Sequence, residues 1–220
     1  GSFGDITCFS FDPVKIITSL DGGAIVCRCD EDLAALHRLR LLGVDKDTTE
    51  RYRNSRAWDY DVTGLGFRAH MTNINAAIGL SQLARLAEFI ANRRRVCQQY
   101  NEAFADLASI RIPDTDFAEV GPFIYFVRVP DGRRATFIEH LQLNGIATGI
   151  HFLPLHQKSL CREMKRGPMN VTERVGSEIV TLPLWSIMPP DVVDRVIEAV
   201  RGFGEKRPAR RVPRRVASHA

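Results

Sequence analysis

The stretch Phe9-Ser10-Phe11-Asp12-Pro13-Val14-Lys15-Ile16-Ile17-Thr18, closed by Asp21-Gly22-Gly23, limits what this chain can fold into more than any other. Phe9 to Phe11 reads as the end of a strand. Pro13 fixes its own φ and pushes Asp12 out of the helical region, so the chain turns just before Lys15. Gly22-Gly23 can take positive φ, and Ala24-Ile25-Val26 resumes as a strand. A lysine is thus carried on a tight excursion between two strands. An amine held and partly desolvated in this way is a nucleophile for carbonyl carbon. By spacing alone, a solvated lysine on a hairpin is the plainer alternative.

The rest of the chain is patterned around that turn. Leu33, Leu36, Leu39 and Leu42 fall at mostly helical spacing within Asp32 to Leu42, with Gly43 as the stop. Asp45 to Asp61 is polar and anchored by Tyr52, Trp58 and Tyr60. Long irregular segments inside compact domains are often functional. Gly64 to His70 is a glycine-bearing turn, and a helix starts at Thr72 or Asn73, with Asn73 and Asn75 capping or starting it. From Leu86 the stripe Leu86, Phe89, Ile90, Val96, Cys97, Tyr100, Phe104 and Leu107 predicts a long amphipathic helix, with Arg93, Arg94 and Arg95 on its solvated side.

This helix is expected to link a larger domain to a smaller one that alternates. Phe123 to Val129 reads as a strand, Arg134 to Leu143 as a helix stopped by Asn144-Gly145, and Ala147 to Phe152 as a strand. Val171 to Val180 follows as a helix, Leu182-Pro183-Leu184 as a short extended piece, and Pro190 to Phe203 as a last helix with proline in its first turn. The alternation is that of an α/β chain. The divisions fall at residues 1–85, 86–204 and 205–220.

The 220 residues suffice for one large domain or two small ones. No apolar run is of membrane-spanning length and no signal peptide is evident, so a soluble cytoplasmic protein is expected. The five cysteines form no C-x-x-C pair and read as reduced, mostly buried thiols. The net charge of +4 comes from the end of the chain, where Lys206, Arg207, Arg210, Arg211, Arg214 and Arg215 face Glu205 alone. Pro208 and Pro213 break any helix there, so 205–220 reads as a disordered, solvated extension. Without interleaved aromatics to stack bases, it is a poor nucleic-acid arm.

Gly4-Asp5 through Gly23 resembles the lysine motif of the vitamin-B6-dependent sugar aminotransferases of the DegT–DnrJ–StrS group. That motif runs Gly-Asp, Phe-Ser-Phe, three residues, Lys, then Gly-Gly and a strand. The resemblance continues through Met71-Thr72-Asn73-Ile74-Asn75-Ala76-Ala77-Ile78-Gly79 and His151-Phe152-Leu153-Pro154-Leu155-His156, to Leu182-Pro183-Leu184. It implies a fold-type-I, aspartate-aminotransferase-like transferase using pyridoxal 5'-phosphate. The group's chains carry a longer N-terminal portion, so this chain is expected to be the C-terminal part of a larger enzyme.

What the resemblance implies about residues is specific. Lys15 matches the lysine that forms the cofactor imine and then moves the proton as general acid and base. Some relatives carry histidine there and dehydrate, so a lysine favours transamination. Ser10 matches the serine that donates to the cofactor phosphate. Gly66 to His70 is similar to a Gly-x-Asn-x-Arg loop that reaches the partner's phosphate in a homodimer; Arg68 stands at the asparagine position and His70 at the arginine position. His151 and His156 match a segment lining the substrate end, with Phe152 at a tyrosine position. Read without the resemblance, the two histidines are satisfied core groups, or a zinc pair lacking a third ligand nearby. The implied reaction passes an amino group from an amino acid, glutamate by expectation, to a nucleotide-linked keto sugar. The group's ring-nitrogen aspartate, stacking aromatic and first phosphate loop would precede residue 1. The alternatives are a split-gene fragment inactive without a separate N-terminal half, and a non-catalytic binding remnant.

Overall fold

The computed structural model describes residues 1–46, 53, 58 and 60–203. The first two strands form where the lysine stretch requires them. β1 (Ile6–Ser10) and β2 (Gly23–Cys27) pair antiparallel, with Ile6 opposite Cys27 and Ser10 opposite Gly23. Glycine is needed at two successive positions where the chain returns into β2. Gly22 sits at φ +120°, and a Cβ on Gly23 would lie 2.5 Å from the Phe9 carbonyl oxygen. After β2 come α1 (Asp30–Arg40) and α2 (Asn73–Leu83). Thr72 caps α2, its Oγ1 accepting from the Asn75 amide at 3.2 Å.

Compact packing divides the chain after Leu86. The first unit is a layer without a core of its own. Neither α1 nor α2 buries a residue, and Leu41 and Val44 are its buried apolar side chains among the described residues. The hairpin is apolar on both faces. Ile6 and Ile25 lie on one face, 51% and 48% exposed, and Phe9 and Val26 on the other, 44% and 48% exposed. Strands apolar on both faces belong to sheets covered on both sides.

The second unit is self-sufficient. α3 (Leu86–Phe104) buries Phe89, Val96, Cys97, Tyr100 and Phe104. β3 (Tyr125–Arg128) pairs antiparallel with β4 (Ile179–Leu182), Tyr125 opposite Leu182. Single bridges flank this pair, Arg111 with Arg128 and Gly149 with Thr181. α4 (Arg134–Leu143) adds Phe137 and Leu141 to the core, and α6 (Pro190–Phe203) adds Val193, Val196, Val200 and Phe203. The Tyr100 and Tyr125 rings meet edge to face at 5.0 Å, as do Phe137 and Phe203. Among the described residues no helix is long and apolar enough to cross a membrane.

Several expectations are corrected. Arg93 is not solvated. It is 4% exposed, and its guanidinium donates to Ser186 Oγ at 2.9 Å and to the Phe123 carbonyl at 2.9 Å. Burial pushes its pKa down from the ordinary arginine value. Ala147 to Phe152 makes only the bridge at Gly149, because the chain curls there. A Cβ on Gly149 would lie 2.7 Å from His151 Cε1. The helix expected to reach Val180 is α5 (Asn170–Glu178), and Ile179-Val180 already belong to β4. Of the cysteines only Cys97 is buried, while Cys8 and Cys29 are exposed. The basic tail and most of Asp45 to Asp61 lie outside the described residues.

The buried acids give this unit a pH signature. Desolvation pushes the Cys97 thiol up to about 12 and raises the Tyr100 and Tyr125 phenols as well. A group whose pKa is raised by folding contributes stability below its unfolded value and loses it as pH climbs toward the folded one. The second unit is therefore expected to keep its thermal midpoint up to about pH 9 and to lose it steadily toward pH 12. Cys97 should resist thiol reagents at pH 8 while Cys8 and Cys29 react. Comparable labelling of Cys97 in the folded chain would show that the core opens there.

Candidate active site

The connection from Phe11 to Gly22 is closed by its own backbone. The Phe11 amide donates to the Gly22 carbonyl at 2.9 Å, and the Ser19 amide to the Phe11 carbonyl at 3.0 Å. Asp12 shapes the turn into Lys15, with Oδ1 accepting from the Val14 amide at 3.0 Å and its carbonyl from the Lys15 amide at 3.0 Å. Ser10 Oγ accepts from the Asp12 amide at 3.4 Å. Ser10 and Lys15 therefore stand on one rigid turn, Ser10 exposed at the strand end and Lys15 half-buried. A fixed amine and a hydroxyl on one turn can address a carbonyl and an anion on the same small molecule.

The far end of the turn is tied down more heavily. Thr18 Oγ1 donates to the Phe11 carbonyl at 3.0 Å. Ser19 is fully buried, and its hydroxyl donates to the Asp21 carbonyl at 2.6 Å. Leu20 stands at φ +70°, a left-handed conformation that non-glycine residues rarely adopt. Asn75 of α2 donates from Nδ2 to the same Asp21 carbonyl at 3.2 Å. Sequence reading assigns Asn75 to the helix start. The contact to Asp21 spans 54 positions, and no local pattern announces it.

Arg68 is exposed, on a segment pinned by its antiparallel bridge to Leu41. A cleft of about 770 Å³ in this unit is lined by Cys8, Ile25, Leu33, His37, Arg40 and His70 among others, and by neither Ser10 nor Lys15. Its walls are the half-exposed faces of the hairpin and of α1, so it is space beside an uncovered layer and not a pocket built around the lysine.

His151 and His156 lie in the second unit, on one segment strapped at three points. His151 Nδ1 is 2.9 Å from Thr181 Oγ1, with the His151 ring edge-on to Phe152. His156 Nε2 is 3.1 Å from Glu173 Oε1. Between them the buried Pro154 packs on α5 so closely that a Cβ on Gly176 would lie 2.5 Å from its Cγ. Thr181, Glu173 and Gly176 are support residues that the sequence does not single out; Glu173 and Gly176, three apart on a helix, share a face.

Comparison with known proteins gives the family and the fold. A family model described as the DegT/DnrJ/EryC1/StrS aminotransferase family matches residues 1–201. The uncharacterized protein MJ1066 of Methanocaldococcus jannaschii is 31% identical over 209 residues, covering 91% of this chain and 54% of that protein. The aminotransferase TlmJ from Streptoalloteichus hindustanus superposes with a TM-score of 0.80 at 29% identity, over 92% of this chain and 52% of TlmJ. Spr1654 from Streptococcus pneumoniae, in its PMP-form, gives a TM-score of 0.80 at 27% identity, over 92% of this chain and 53% of Spr1654. The chain thus spans about half the length of the relatives it matches.

Proposed function

The chain belongs to the DegT/DnrJ/EryC1/StrS aminotransferase family, and from that premise we propose that it carries the lysine-bearing part of an enzyme that aminates a nucleotide-linked keto sugar, with glutamate as donor. The fold is that of the fold-type-I, aspartate-aminotransferase-like transferases, over about half their length. The observation that carries the proposal is the turn itself. It places a half-buried lysine five residues beyond an exposed serine, inside a hairpin whose ends are locked by backbone hydrogen bonds.

The donor set fits pyridoxal phosphate. It offers an amine for the aldehyde, the Ser10 hydroxyl for the phosphate, and in Arg68 an exposed guanidinium able to bind phosphate in a bidentate manner. When bound, that cofactor supplies an electron sink for the pair released at the substrate's Cα. The work of the protein is then positional. Lys15 Nζ takes the proton from the donor's Cα and returns it across the same face, and the closed turn keeps that nitrogen in register. Ser10 anchors the phosphate end, and Arg68 does so from a second subunit of a homodimer. His151 and His156, held by Thr181 and Glu173, offer imidazole hydrogen bonds to sugar hydroxyls.

The rest of the site belongs to a polypeptide corresponding to the half of the relatives' length that this chain does not span. That half covers the bare faces of the hairpin and of α1, either in the same chain or as a separate one. In the assembled protein, Ser10→Ala and Arg68→Ala are each expected to weaken pyridoxal phosphate binding about tenfold or more, since each removes a hydrogen bond to a charged group. Thermal stability without the cofactor should stay put. Unchanged affinity in both variants would remove these residues from the site.

A further inference from the structure

The turn that carries Lys15 is not held by its own hairpin alone. We propose that α2 acts as a latch on it, with Asn75 as a positioning residue for the lysine turn. The inference rests on the reading of Lys15 as the cofactor lysine, and it adds a residue to which neither the family match nor the motif assigns such a role.

Three observations meet at one place. Leu20 is held at φ +70°, a strained conformation for an L-residue. Such strain persists only where the surroundings over-determine it. Those surroundings are the neighbours of Leu20. The Leu20 amide donates to Thr18 Oγ1 at 2.9 Å, and the carbonyl of Asp21 receives both Ser19 Oγ and Asn75 Nδ2. Finally, α2 lies directly on this exit. A Cβ on Gly79 would sit 3.3 Å from Ser19 Cβ, and one on Gly22 would sit 3.0 Å from Met71 Cε.

The consequence is coupling within the first unit. Met71 follows Arg68 by three residues and presses on the same exit that Asn75 holds. Whatever moves the Gly66–His70 loop therefore bears on the end of the lysine turn through Met71, just ahead of α2, and the seating of α2 sets how firmly Lys15 is presented.

Asn75→Asp separates this role from mere stability. The aspartate keeps the size of the side chain and an acceptor for the Thr72 hydroxyl, which now donates to Asn75 Oδ1 at 2.7 Å. It also favours the helix N-terminus electrostatically. At the Asp21 carbonyl it exchanges the donor for a carboxylate oxygen, which removes that hydrogen bond and sets acceptor against acceptor. Two readouts are followed in the chain assembled with the unspanned half. One is amide exchange at Phe11 and Ser19, which close the turn; the other is the rate at which borohydride traps pyridoxal phosphate on Lys15. Both are expected to change about two- to tenfold, the worth of one hydrogen bond, with faster exchange and slower trapping, while α2's own amides hold. The neutral Asn75→Leu must change exchange in the same direction. Leu20→Gly should shrink the effect of either substitution, because glycine adopts positive φ unaided. Unchanged exchange at Phe11 and Ser19, an effect confined to the aspartate, or equal loosening of α2 overturns the latch. Failure of the unsubstituted assembled protein to trap pyridoxal phosphate on Lys15 overturns instead the reading on which it rests.

Discussion

Lys15→Ala abolishes trapping of pyridoxal phosphate by borohydride at the turn and lowers amino transfer by about 10⁴-fold in the assembled enzyme, the scale of losing a positioned acid–base group together with its covalent role. The protein should still fold. Lys15 is half-buried on a loop, and Phe11, Ser19 and Thr18 supply hydrogen bonds that close that loop. The loss is therefore chemical, and the amide exchange of Phe11 should be unchanged beside it. Peptide mapping after reduction gives the direct check. Label on Lys46 or Lys158 in the unsubstituted protein, with none on Lys15, would remove the turn from the chemistry.

The second large effect concerns the bare layer. Ile6, Phe9, Ile25, Val26, Leu33, Leu39, Ile74, Leu80 and Leu83 are between 42% and 72% exposed, all within the first unit. Fully burying a large apolar side chain is worth about 1.5–3 kcal/mol, so covering these half-exposed groups is worth on the order of 10 kcal/mol at most. That is comparable with the entire stability of a small domain. A two-stranded hairpin is marginal in water by itself, and its unpaired edges invite association. The chain alone should therefore show a second unit that melts cooperatively and a first unit with little exchange protection, and it should aggregate as concentration rises. Co-expression with a polypeptide matching the unspanned half of a relative should bring protection to β1 and β2 and raise soluble yield together. Full protection of β1 and β2 in the isolated, monomeric chain would contradict this.

How much was legible in the sequence depended on whether the cause was local. Pro13 and Gly22-Gly23 act on their own dihedrals, and the hairpin formed where they put it. The stripe from Phe89 to Phe104 is equally plain, yet Arg93 on it is buried where a solvated side chain is expected. Spacing from Phe89 and to Val96 places residue 93 on the buried face, and its charge suggested the opposite. What decided the matter was Ser186 and the Phe123 carbonyl, distant in sequence, which satisfy the guanidinium. Asn75 is the same lesson at the site, since its partner is a backbone carbonyl 54 positions away. The apolar run Ala147 to Phe152 had strand composition, but the turn of His151 back over Gly149 ends the pairing after one bridge. Lys15 and Ser10 stood out because turn chemistry and motif coincide there. Thr181 and Glu173 carry no motif, and only packing brings them to the histidines.

Above all, the Lys15 turn is proposed to be a transaminase centre that a further polypeptide completes. The most direct test is the half-reaction with glutamate, followed as bleaching of the visible band of bound pyridoxal phosphate. It is run on this chain alone, on the chain assembled with the unspanned half, and on the assembled Lys15→Ala protein. The account predicts bleaching in the assembled wild type and in neither of the other two. Rapid bleaching by the chain alone, or by the assembled protein lacking Lys15, would contradict it.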